Sequence, residues 1–296
     1  MMKSLKVLGL IGMLIGGLGF LESMAGPSRT LLQNKGSDTM VAAVSAWSEA
    51  YKQVNPTAGV AVTAGGSGTG IAALINGTAD IANTSRLMRE KEIEMAQERG
   101  HHPKKFIVGY DAVAVYLHKD NPVQTLTIKQ LAEIYGEDGK IERWSDLGIE
   151  VPGCKNQEIV RVSRQNSSGT YAFFRRAVLG VKRDYKLGSK DMQASRDTVA
   201  LVGTAPCAIG YSSLVYATDQ VKMVCIAKQD GGECVNPSVN TIQDKSYPFA
   251  RPLYMYTDGE PQGEIKKYID WVLSDEGQCI IKNRGYAPTH LLNCGG

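Results

Sequence analysis

Residues 30–53 read TLLQNKGSDTMVAAVSAWSEAYKQ. Residues 30–34 are rich in apolar and β-branched side chains, as in a short strand, and residues 40–53 carry apolar side chains at the spacing of one helix face. The loop Gly36-Ser37-Asp38-Thr39 lies between them. This segment therefore predicts a strand, a short Gly/Ser/Thr loop and a helix that begins at the loop.

The same alternation continues along the chain. Further strands are predicted at residues 58–63, 81–82, 106–109, 113–118, 160–163, 208–211 and 222–226, and further helices at residues 71–76, 88–99, 128–135, 171–178, 195–204 and 263–273. Strands that alternate with helices predict an α/β fold with mostly parallel strands. The length of 296 residues favours two domains.

The composition excludes several classes of protein. With 43% hydrophobic and 21% charged residues, the chain resembles an average globular protein and not a disordered or polytopic membrane chain. The 33 Lys and Arg residues exceed the 30 Asp and Glu residues by only three. Because a nucleic-acid-binding domain usually carries a strongly basic face, we expect no nucleic-acid partner.

The amino terminus predicts export. Lys3 and Lys6 precede an apolar run over residues 7–21, and small residues occupy Ser23 and Ala25. This pattern is typical of a secretory signal peptide, residues 1–25, cleaved after Ala25. The rival interpretation, a membrane anchor, would need an apolar run of roughly 20 residues. No cysteine follows the run, so we expect a soluble mature protein with no lipid attachment.

The cysteines agree with export. All six lie after residue 25, and an even number in an oxidising compartment predicts disulfides. Local spacing favours Cys225 with Cys234 and Cys279 with Cys294, which leaves Cys154 with Cys207. No CxxC motif and no spaced histidine cluster is present, so no metal site is predicted.

Three Gly/Ser/Thr loops each follow a predicted strand and open a helix: residues 36–39, 65–70 and 167–170. A helix amino terminus offers unpaired N–H groups and the positive end of the helix dipole, and glycine lets the backbone approach a ligand. Any one loop alone is explained by ordinary helix capping. The three loops together, with Arg164 close to Ser168, predict an oxyanion site.

Catalytic motifs are missing from the sequence. There is no GxxxxGK[ST], GxGxxG or GxSxG motif, and no histidine lies at a motif position beside a candidate nucleophile. The sequence therefore predicts a binding protein and not an enzyme, with no catalytic residues and no cofactor.

Two interpretations concern the side chains near the third loop. Phe173 and Phe174, like Trp47 and Tyr51, fall on helical faces and are predicted to be core. The neighbouring basic residues 175, 176, 182 and 183 form either a solvated helix face or a surface that steers anions or meets a partner protein.

Seven segments, in this order and spacing, carry a resemblance to a known family: residues 36–39 (GSDT), 66–71 (GSGTGI), 79–86 (ADIANTSR), 109–115 (GYDAVAV), 164–170 (RQNSSGT), 208–211 (AIGY) and 247–254 (YPFARPLY). The chain resembles the phosphate-binding proteins of bacterial phosphate ABC transporters, over about residues 30–288. The resemblance implies the type II periplasmic-binding-protein fold, with two discontinuous α/β lobes joined by a two-strand hinge. Lobe one would be residues 26–110 and 250–296, and lobe two residues 111–249.

The resemblance also implies phosphate ligands. Thr39 and Ser67 would donate from the first two loops, with the Met40 N–H beside Thr39, and Arg164 would supply a full positive charge. The complete predicted set is Thr39, Met40, Ser67, Ser85, Asp111, Arg164, Ser168, Gly169 and Thr170.

One departure from the family pattern leaves the acidic acceptor open. Some members have an acidic residue where this chain has Ser85, and that carboxylate would accept a hydrogen bond from protonated phosphate and repel a fully ionised anion such as sulfate. Asp111 is our first candidate for this role, with a hinge residue as the alternative, and Asp38 is the second candidate. Arg86 either approaches the ligand or pairs with a carboxylate of its own lobe.

The predicted function is capture of inorganic phosphate in a cleft between lobes and delivery to ABC permease subunits in the inner membrane. The protein would be a periplasmic monomer that closes around its ligand. The alternatives are a binding protein for sulfate, molybdate or tungstate, or an exported phosphate-scavenging or phosphatase-like protein.

Overall fold

The computed structural model describes residues 30–292 and residue 294, so the predicted signal peptide lies outside the described residues. Their strands are β1 (Thr30–Gly36), β2 (Ala58–Ala64), β3 (Ile81–Thr84), β4 (Pro103–His118), β5 (Thr125–Thr127), β6 (Val160–Arg164), β7 (Lys190–Met192), β8 (Ala208–Ser213), β9 (Val221–Met223), β10 (Cys225–Ala227), β11 (Cys234–Val235) and β12 (Ala250–Asp258). Their helices are α1 (Val41–Val54), α2 (Ser67–Ile75), α3 (Glu90–Glu98), α4 (Ile128–Tyr135), α5 (Gly169–Leu179), α6 (Ser195–Thr204), α7 (Val239–Gln243), α8 (Gly263–Leu273) and α9 (Asp275–Asn283). In this part of the chain, no helix combines the length and the apolar character needed to cross a membrane.

The predicted alternation of strands and helices is confirmed, with two corrections. Residues 106–109 and 113–118 are not separate strands but parts of β4. Asp111 lies in the gap between the two predicted strands, but it stands opposite Arg251 of β12 and is neutralised there, so the strand continues. Residues 222–226 are two strands, β9 and β10, which pair with different sheets.

A large sheet has the strand order β2-β1-β3-β12-β4-β8-β6-β7, with β9 also paired to β4. The prediction of mostly parallel strands is wrong for this sheet. β1 pairs in parallel with β2 and β3, and β6 pairs in parallel with β7 and β8. The long strands β4 and β12, however, pair antiparallel with each other and with their other neighbours. A smaller sheet has the order β11-β10-β5.

Two large hydrophobic cores flank the antiparallel pair β4–β12. The first gathers side chains from β1, α1, β12 and α8, with Trp47 at its centre, and the Trp47 indole N–H donates to the Gly277 carbonyl at 2.6 Å. The second core lies around Trp144 and Phe174, between α4, α5 and the second half of β4. Trp47, Tyr51 and Phe174 are buried, as predicted.

The three predicted disulfides are confirmed. Cys154 is joined to Cys207, Cys225 to Cys234, and Cys279 to Cys294. The first joins the loop after the short helix Trp144–Leu147 to the residue before β8, and the second closes the turn between β10 and β11. The third ties α9 to the carboxyl-terminal segment.

Candidate anion-binding site

The three Gly/Ser/Thr loops meet, although they are far apart in the sequence. The first follows β1 and enters α1 through the short 3-10 turn Asp38–Met40, the second follows β2 into α2, and the third follows β6 into α5. The Gly68 N–H donates to the Ser167 carbonyl at 2.9 Å, and the Thr39 and Thr170 hydroxyl oxygens are 2.8 Å apart. The three loops therefore lie at one place in the structure, as a site built from all three requires.

Glycine allows the loops to approach this closely. Gly36 has a φ of +144°, and a Cβ there would lie 2.1 Å from the Asn83 carbonyl oxygen. A Cβ on Gly169 would lie 2.3 Å from the Ser67 Oγ and 2.4 Å from the Ser85 Oγ. The start of α5 thus packs its backbone directly against two side-chain hydroxyls.

Five buried hydroxyls form what we call the hydroxyl cluster: Ser37, Thr39, Ser67, Ser85 and Thr170. The Ser37 Oγ donates to the Ser85 Oγ at 3.0 Å, the Ser67 and Ser85 oxygens are 3.4 Å apart, and the Ser85 N–H donates to the Ser67 Oγ at 3.0 Å. Because a hydroxyl rotates freely, each can turn its proton toward an anion.

Arg251 completes the cluster with a buried cation. Its Nη2 donates to the Thr39 hydroxyl at 3.2 Å and to the Thr170 hydroxyl at 3.0 Å, and its Nη1 donates to the Ser85 carbonyl at 3.3 Å. Only 2% of the residue is exposed. Burial lowers the pKa of the Arg251 guanidinium, and the attraction of Asp111 opposes that shift.

Asp111 is the counterion of Arg251. Its Oδ2 accepts from the Arg251 Nε at 3.1 Å and Nη2 at 2.8 Å, and its Oδ1 accepts from the Ser213 hydroxyl at 2.5 Å. Burial raises the pKa of the Asp111 carboxyl, while the charge of Arg251 and the Ser213 hydrogen bond act in the opposite direction. Both oxygens already have protein donors, so Asp111 contacts the cluster through Arg251.

Arg164 lies beside the loops but faces other partners. Its Nη2 contacts the Asp38 carboxylate at 3.2 Å and donates to the Gln193 carbonyl at 2.8 Å, and its Nη1 donates to the Ser195 hydroxyl at 2.8 Å. Burial lowers the pKa of the Arg164 guanidinium, and Asp38 opposes that shift. The structure therefore pairs Arg164 with Asp38 and does not aim it at the hydroxyl cluster.

Two other predicted ligands have local structural roles. The Ser168 hydroxyl caps α5 by accepting from the N–H groups of Thr170 at 3.1 Å and Tyr171 at 3.3 Å. The Met40 N–H donates to the Ser37 carbonyl at 3.1 Å, and its side chain lies in the first core. Thr39, Ser67, Ser85, Gly169 and Thr170 are the predicted residues that the structure brings together.

Arg86 and Phe173, which lie near the hydroxyl cluster, make different contacts. Arg86, left open between two roles, pairs with Glu92 of its own segment, at 2.7 Å from each of its Nη atoms. Phe173 was predicted to be core, but it is only half-buried. Its ring lies 5.3 Å from the Arg251 guanidinium and makes a cation–π contact with it.

The sequence analysis missed Arg251 and Ser37 as site residues. A signal for Arg251 was available, because it is the charged residue at the start of the otherwise apolar run ARPLYMY. A buried charge needs a partner, and the apolar run GYDAVAV supplies Asp111. Ser37 lay within a quoted loop, but nothing in the loop distinguished it from a capping residue.

The chemistry of this site is that of anion binding. Its donors are hydroxyls, a guanidinium and the amino ends of α2 and α5, the groups that bind oxyanions in proteins. Among the described residues, no group of three His, Cys, Asp or Glu side chains could hold a metal ion.

Comparison with known proteins gives consistent matches. Residues 23–276 match the model of the PBP superfamily domain. The phosphate-binding protein PstS of Pseudomonas aeruginosa is 31% identical over 268 residues, which are 87% of this chain and 82% of that protein. The phosphate-bound crystal structure of a substrate-binding protein assigned to a phosphate ABC transporter of Clostridium perfringens superposes with a TM-score of 0.76 at 30% identity, covering 88% of this chain and 100% of that one. An ABC-type phosphate transport receptor from Vibrio cholerae has a TM-score of 0.69 at 27% identity, covering 86% and 99%.

Proposed function

Because this chain belongs to the PBP superfamily, and within it to the phosphate-binding proteins of bacterial phosphate ABC transporters, we propose that it captures inorganic phosphate at the hydroxyl cluster for import. The members it matches are named as binding and transport proteins, which agrees with the prediction of a binding protein and not an enzyme. The alternatives, another oxyanion or a phosphatase-like activity, are not favoured, since these relatives are all named for phosphate.

The observation that carries the proposal is the grouping of five buried hydroxyls beside one guanidinium, which donates to two of them, Thr39 and Thr170. Phosphate oxygens accept hydrogen bonds, and a set of neutral donors can hold them without adding net charge. The Thr39 and Thr170 oxygens are 2.8 Å apart, so no oxygen atom fits between them. Phosphate would therefore replace the bond between these two hydroxyls, which can both turn their protons toward its oxygens.

The charges around the cluster are balanced before the ligand enters. Asp111 neutralises Arg251, and Asp38 neutralises Arg164. The negative charge of phosphate is then stabilised by oriented dipoles, namely the hydroxyls and the amino ends of α2 and α5, each at least two turns long. Because each carboxylate is paired with an arginine, the cluster presents to the anion neither an unpaired cation nor an unpaired carboxylate from the described residues.

The lobe boundaries are part of the proposal: residues 26–110 with 250–296, and residues 111–249, hinged at β4 and β12. The first core draws on residues 32–108 and 253–286, and the second on residues 112–249 with Ala287. The contacts Thr39–Thr170 and Gly68–Ser167 join the two parts. A ligand held by both parts would stabilise the closed form.

We propose that the mature protein acts as a monomer in the periplasm and docks on ABC permease subunits of the inner membrane. Three disulfides and the predicted signal peptide support an oxidising compartment outside the cytoplasm. The role of the matched relatives in ABC transport supports the permease as partner.

The test uses two isosteric substitutions with a matched control. Thr39→Val and Thr170→Val each remove one hydroxyl from the cluster. Since a hydrogen bond to a charged group contributes about 1.5–3 kcal/mol, we expect each to weaken phosphate binding by roughly 10- to 100-fold. Thr198→Val is the control, because Thr198 is also buried but its hydroxyl bonds only to the Ala194 carbonyl in the described structure.

The measurement is calorimetric titration of the ligand-stripped mature protein with phosphate, sulfate and molybdate. Phosphate should bind most tightly, and only the two cluster variants should lose affinity. Preference for sulfate or molybdate, or equal losses in all three variants, would contradict the proposed site.

A further inference from the structure

A cavity of about 950 Å³ adjoins the hydroxyl cluster. One wall is formed by residues 85–90 and 251–254, and the opposite wall by residues of α5 and the turn after it. Ser85 and Arg251 belong both to this cavity and to the phosphate site described above. A ligand held at the cluster could therefore extend into the cavity without a separate entrance.

The cavity is lined by an excess of positive charge. Five arginines line it, Arg86, Arg89, Arg175, Arg176 and Arg251, against two carboxylates, Glu90 and Asp184. Arg86, Arg175 and Arg251 are each paired with a carboxylate, so Arg89 and Arg176 carry the uncompensated positive charge of the lining. Arg89 and Arg176 are exposed, and neither makes a salt bridge within residues 30–292. Their charges are thus available to an anion that enters the cavity.

Two of the arginines also carry unused buried donors. The Arg86 side chain is only 9% exposed, and its Nε has no hydrogen-bond partner among the described residues although Glu92 holds both Nη atoms. The Arg175 Nε is also buried without a partner in the described structure. The Arg86 guanidinium lies beside the second loop, 3.7 Å from where a Gly68 Cβ would stand. A buried unpaired donor is unfavourable, and an anionic ligand would satisfy it.

The rest of the lining suits a carbon skeleton. Tyr171, Phe173, Pro252 and Tyr254 contribute apolar surface, and Leu87 at the rim is 52% exposed. The volume falls in the range of ordinary small-molecule sites, about 300–1,000 Å³. A single inorganic phosphate needs neither this space nor this surface.

We propose that this cavity binds the far end of a phosphate monoester that carries a second anionic group, whose phosphoryl group occupies the hydroxyl cluster. Arg89 and Arg176 reach the second anion from opposite walls, and the Nε groups of Arg86 and Arg175 add donors. This inference rests on the proposed function, because it uses the same phosphoryl site.

Two esters of nearly equal size test it. Glycerol 3-phosphate has a neutral far end, and 3-phosphoglycerate has a carboxylate there. By calorimetry on the disulfide-intact mature protein, we expect 3-phosphoglycerate to bind at least about tenfold tighter than glycerol 3-phosphate. The double variant R89Q/R176Q should weaken 3-phosphoglycerate by about tenfold and leave phosphate within about twofold.

The matched control is R196Q/R284Q, which removes the same charge from two exposed arginines outside the cavity. It should leave 3-phosphoglycerate affinity unchanged. An equal loss in both double variants, or equal losses for phosphate and 3-phosphoglycerate, would mean long-range attraction and overturn the inference.

Failure of the inference differs from failure of the proposed function. If phosphate binds and neither ester does, only the inference is wrong. If neither ester binds but R89Q/R176Q slows phosphate import by cells, the two arginines contact the permease and not a ligand, and the inference is overturned. If phosphate itself does not bind, the proposed function fails.

Discussion

The ion pair between Asp111 and Arg251 gives the sharpest prediction. The substitution Asp111→Asn keeps the shape of the side chain and removes its charge. The amide oxygen can still accept from Arg251, and the amide nitrogen can donate to the Ser213 hydroxyl, which is a partner of Asp111 in the native protein. The main physical change is therefore an uncompensated guanidinium in the protein interior.

The expected magnitude follows from burial and distance. The two side chains are 1% and 0% exposed and 2.8 Å apart. At an effective dielectric constant of about 20, this separation corresponds to roughly 6 kcal/mol of attraction before desolvation. Removing one partner of a buried pair costs about 3–5 kcal/mol of unfolding free energy, and we expect a value near the lower end because the hydrogen bonds can persist.

Phosphate binding should change in the opposite direction. In the variant, the bound anion becomes the counterion of Arg251, which contacts the hydroxyls of Thr39 and Thr170. We expect phosphate to bind at least about tenfold tighter, and to restore part of the lost stability through the binding equilibrium. If Asp111 were the acceptor of a phosphate proton, as the sequence suggested, the same substitution would weaken phosphate.

The assay combines urea unfolding, with and without phosphate, and calorimetric titration. The double variant D111N/R251Q removes both charges, so its loss of unfolding free energy should be smaller than the sum of the losses in the two single variants. It should also bind phosphate weakly. Asp120→Asn, a surface carboxylate paired with Lys119, is the control and should change little. Weaker phosphate binding by a stable, folded D111N protein would refute the counterion interpretation and favour the acceptor role.

Three further predictions concern other parts of the molecule. Gly169→Ala places a methyl group 2.3 Å from the Ser67 oxygen and 2.4 Å from the Ser85 oxygen. Titration should therefore show phosphate affinity falling by about 100-fold or more, and denaturant unfolding should show a loss of about 1–3 kcal/mol from the buried clash. Burial raises the pKa of Glu92, but the hydrogen bonds and charges of Arg86 and Arg89 outweigh it and lower the pKa below its ordinary value of about 4.5. The stability that Glu92 contributes should therefore be present above about pH 4.5 and lost as the pH falls through the lower folded value. Glu92→Gln should therefore lie below the wild type in unfolding free energy at neutral pH and converge with it in acid, and an unchanged gap would count against this pair. Removing the disulfide Cys154–Cys207, which spans 53 residues, should lower the unfolding free energy by about 4 kcal/mol. Removing Cys225–Cys234, which spans 9, should lower it by about 2.5 kcal/mol, because the closed loop is shorter. Equal losses in denaturant unfolding would contradict this loop-entropy argument.

The sequence predicted the bounds of helices better than it predicted which strands pair and in which direction. The helix patterns at residues 128–135, 195–204 and 263–273 match α4, α6 and α8 in their bounds, since apolar spacing and caps act locally. The direction of the strands depends on which partner each one meets. The antiparallel pairing of β4 with β12 joins residues about 140 apart, and no local pattern encodes it.

The same limit applies to the site. The loops could be recognised as anion-binding candidates because their glycines and hydroxyls are local signals, and five of the nine predicted ligands do converge. The pairing of each arginine could not be recognised. Arg164 and Arg251 both stand at strand ends near carboxylates, and only the register of β12 on β4 places Arg251 opposite Asp111.

In the proposed function, the position of Arg251 connects ligand binding to closure. Its backbone belongs to β12, which together with β4 links the two cores, and its guanidinium contacts the first loop at Thr39 and the third loop at Thr170. The hydroxyls of these two loops come together only when the loops are close. An anion at the cluster therefore acts on both loops and on the connecting strands through one side chain. Because Asp111 holds that side chain in place, the ion pair sets the position of the donors as well as their charge.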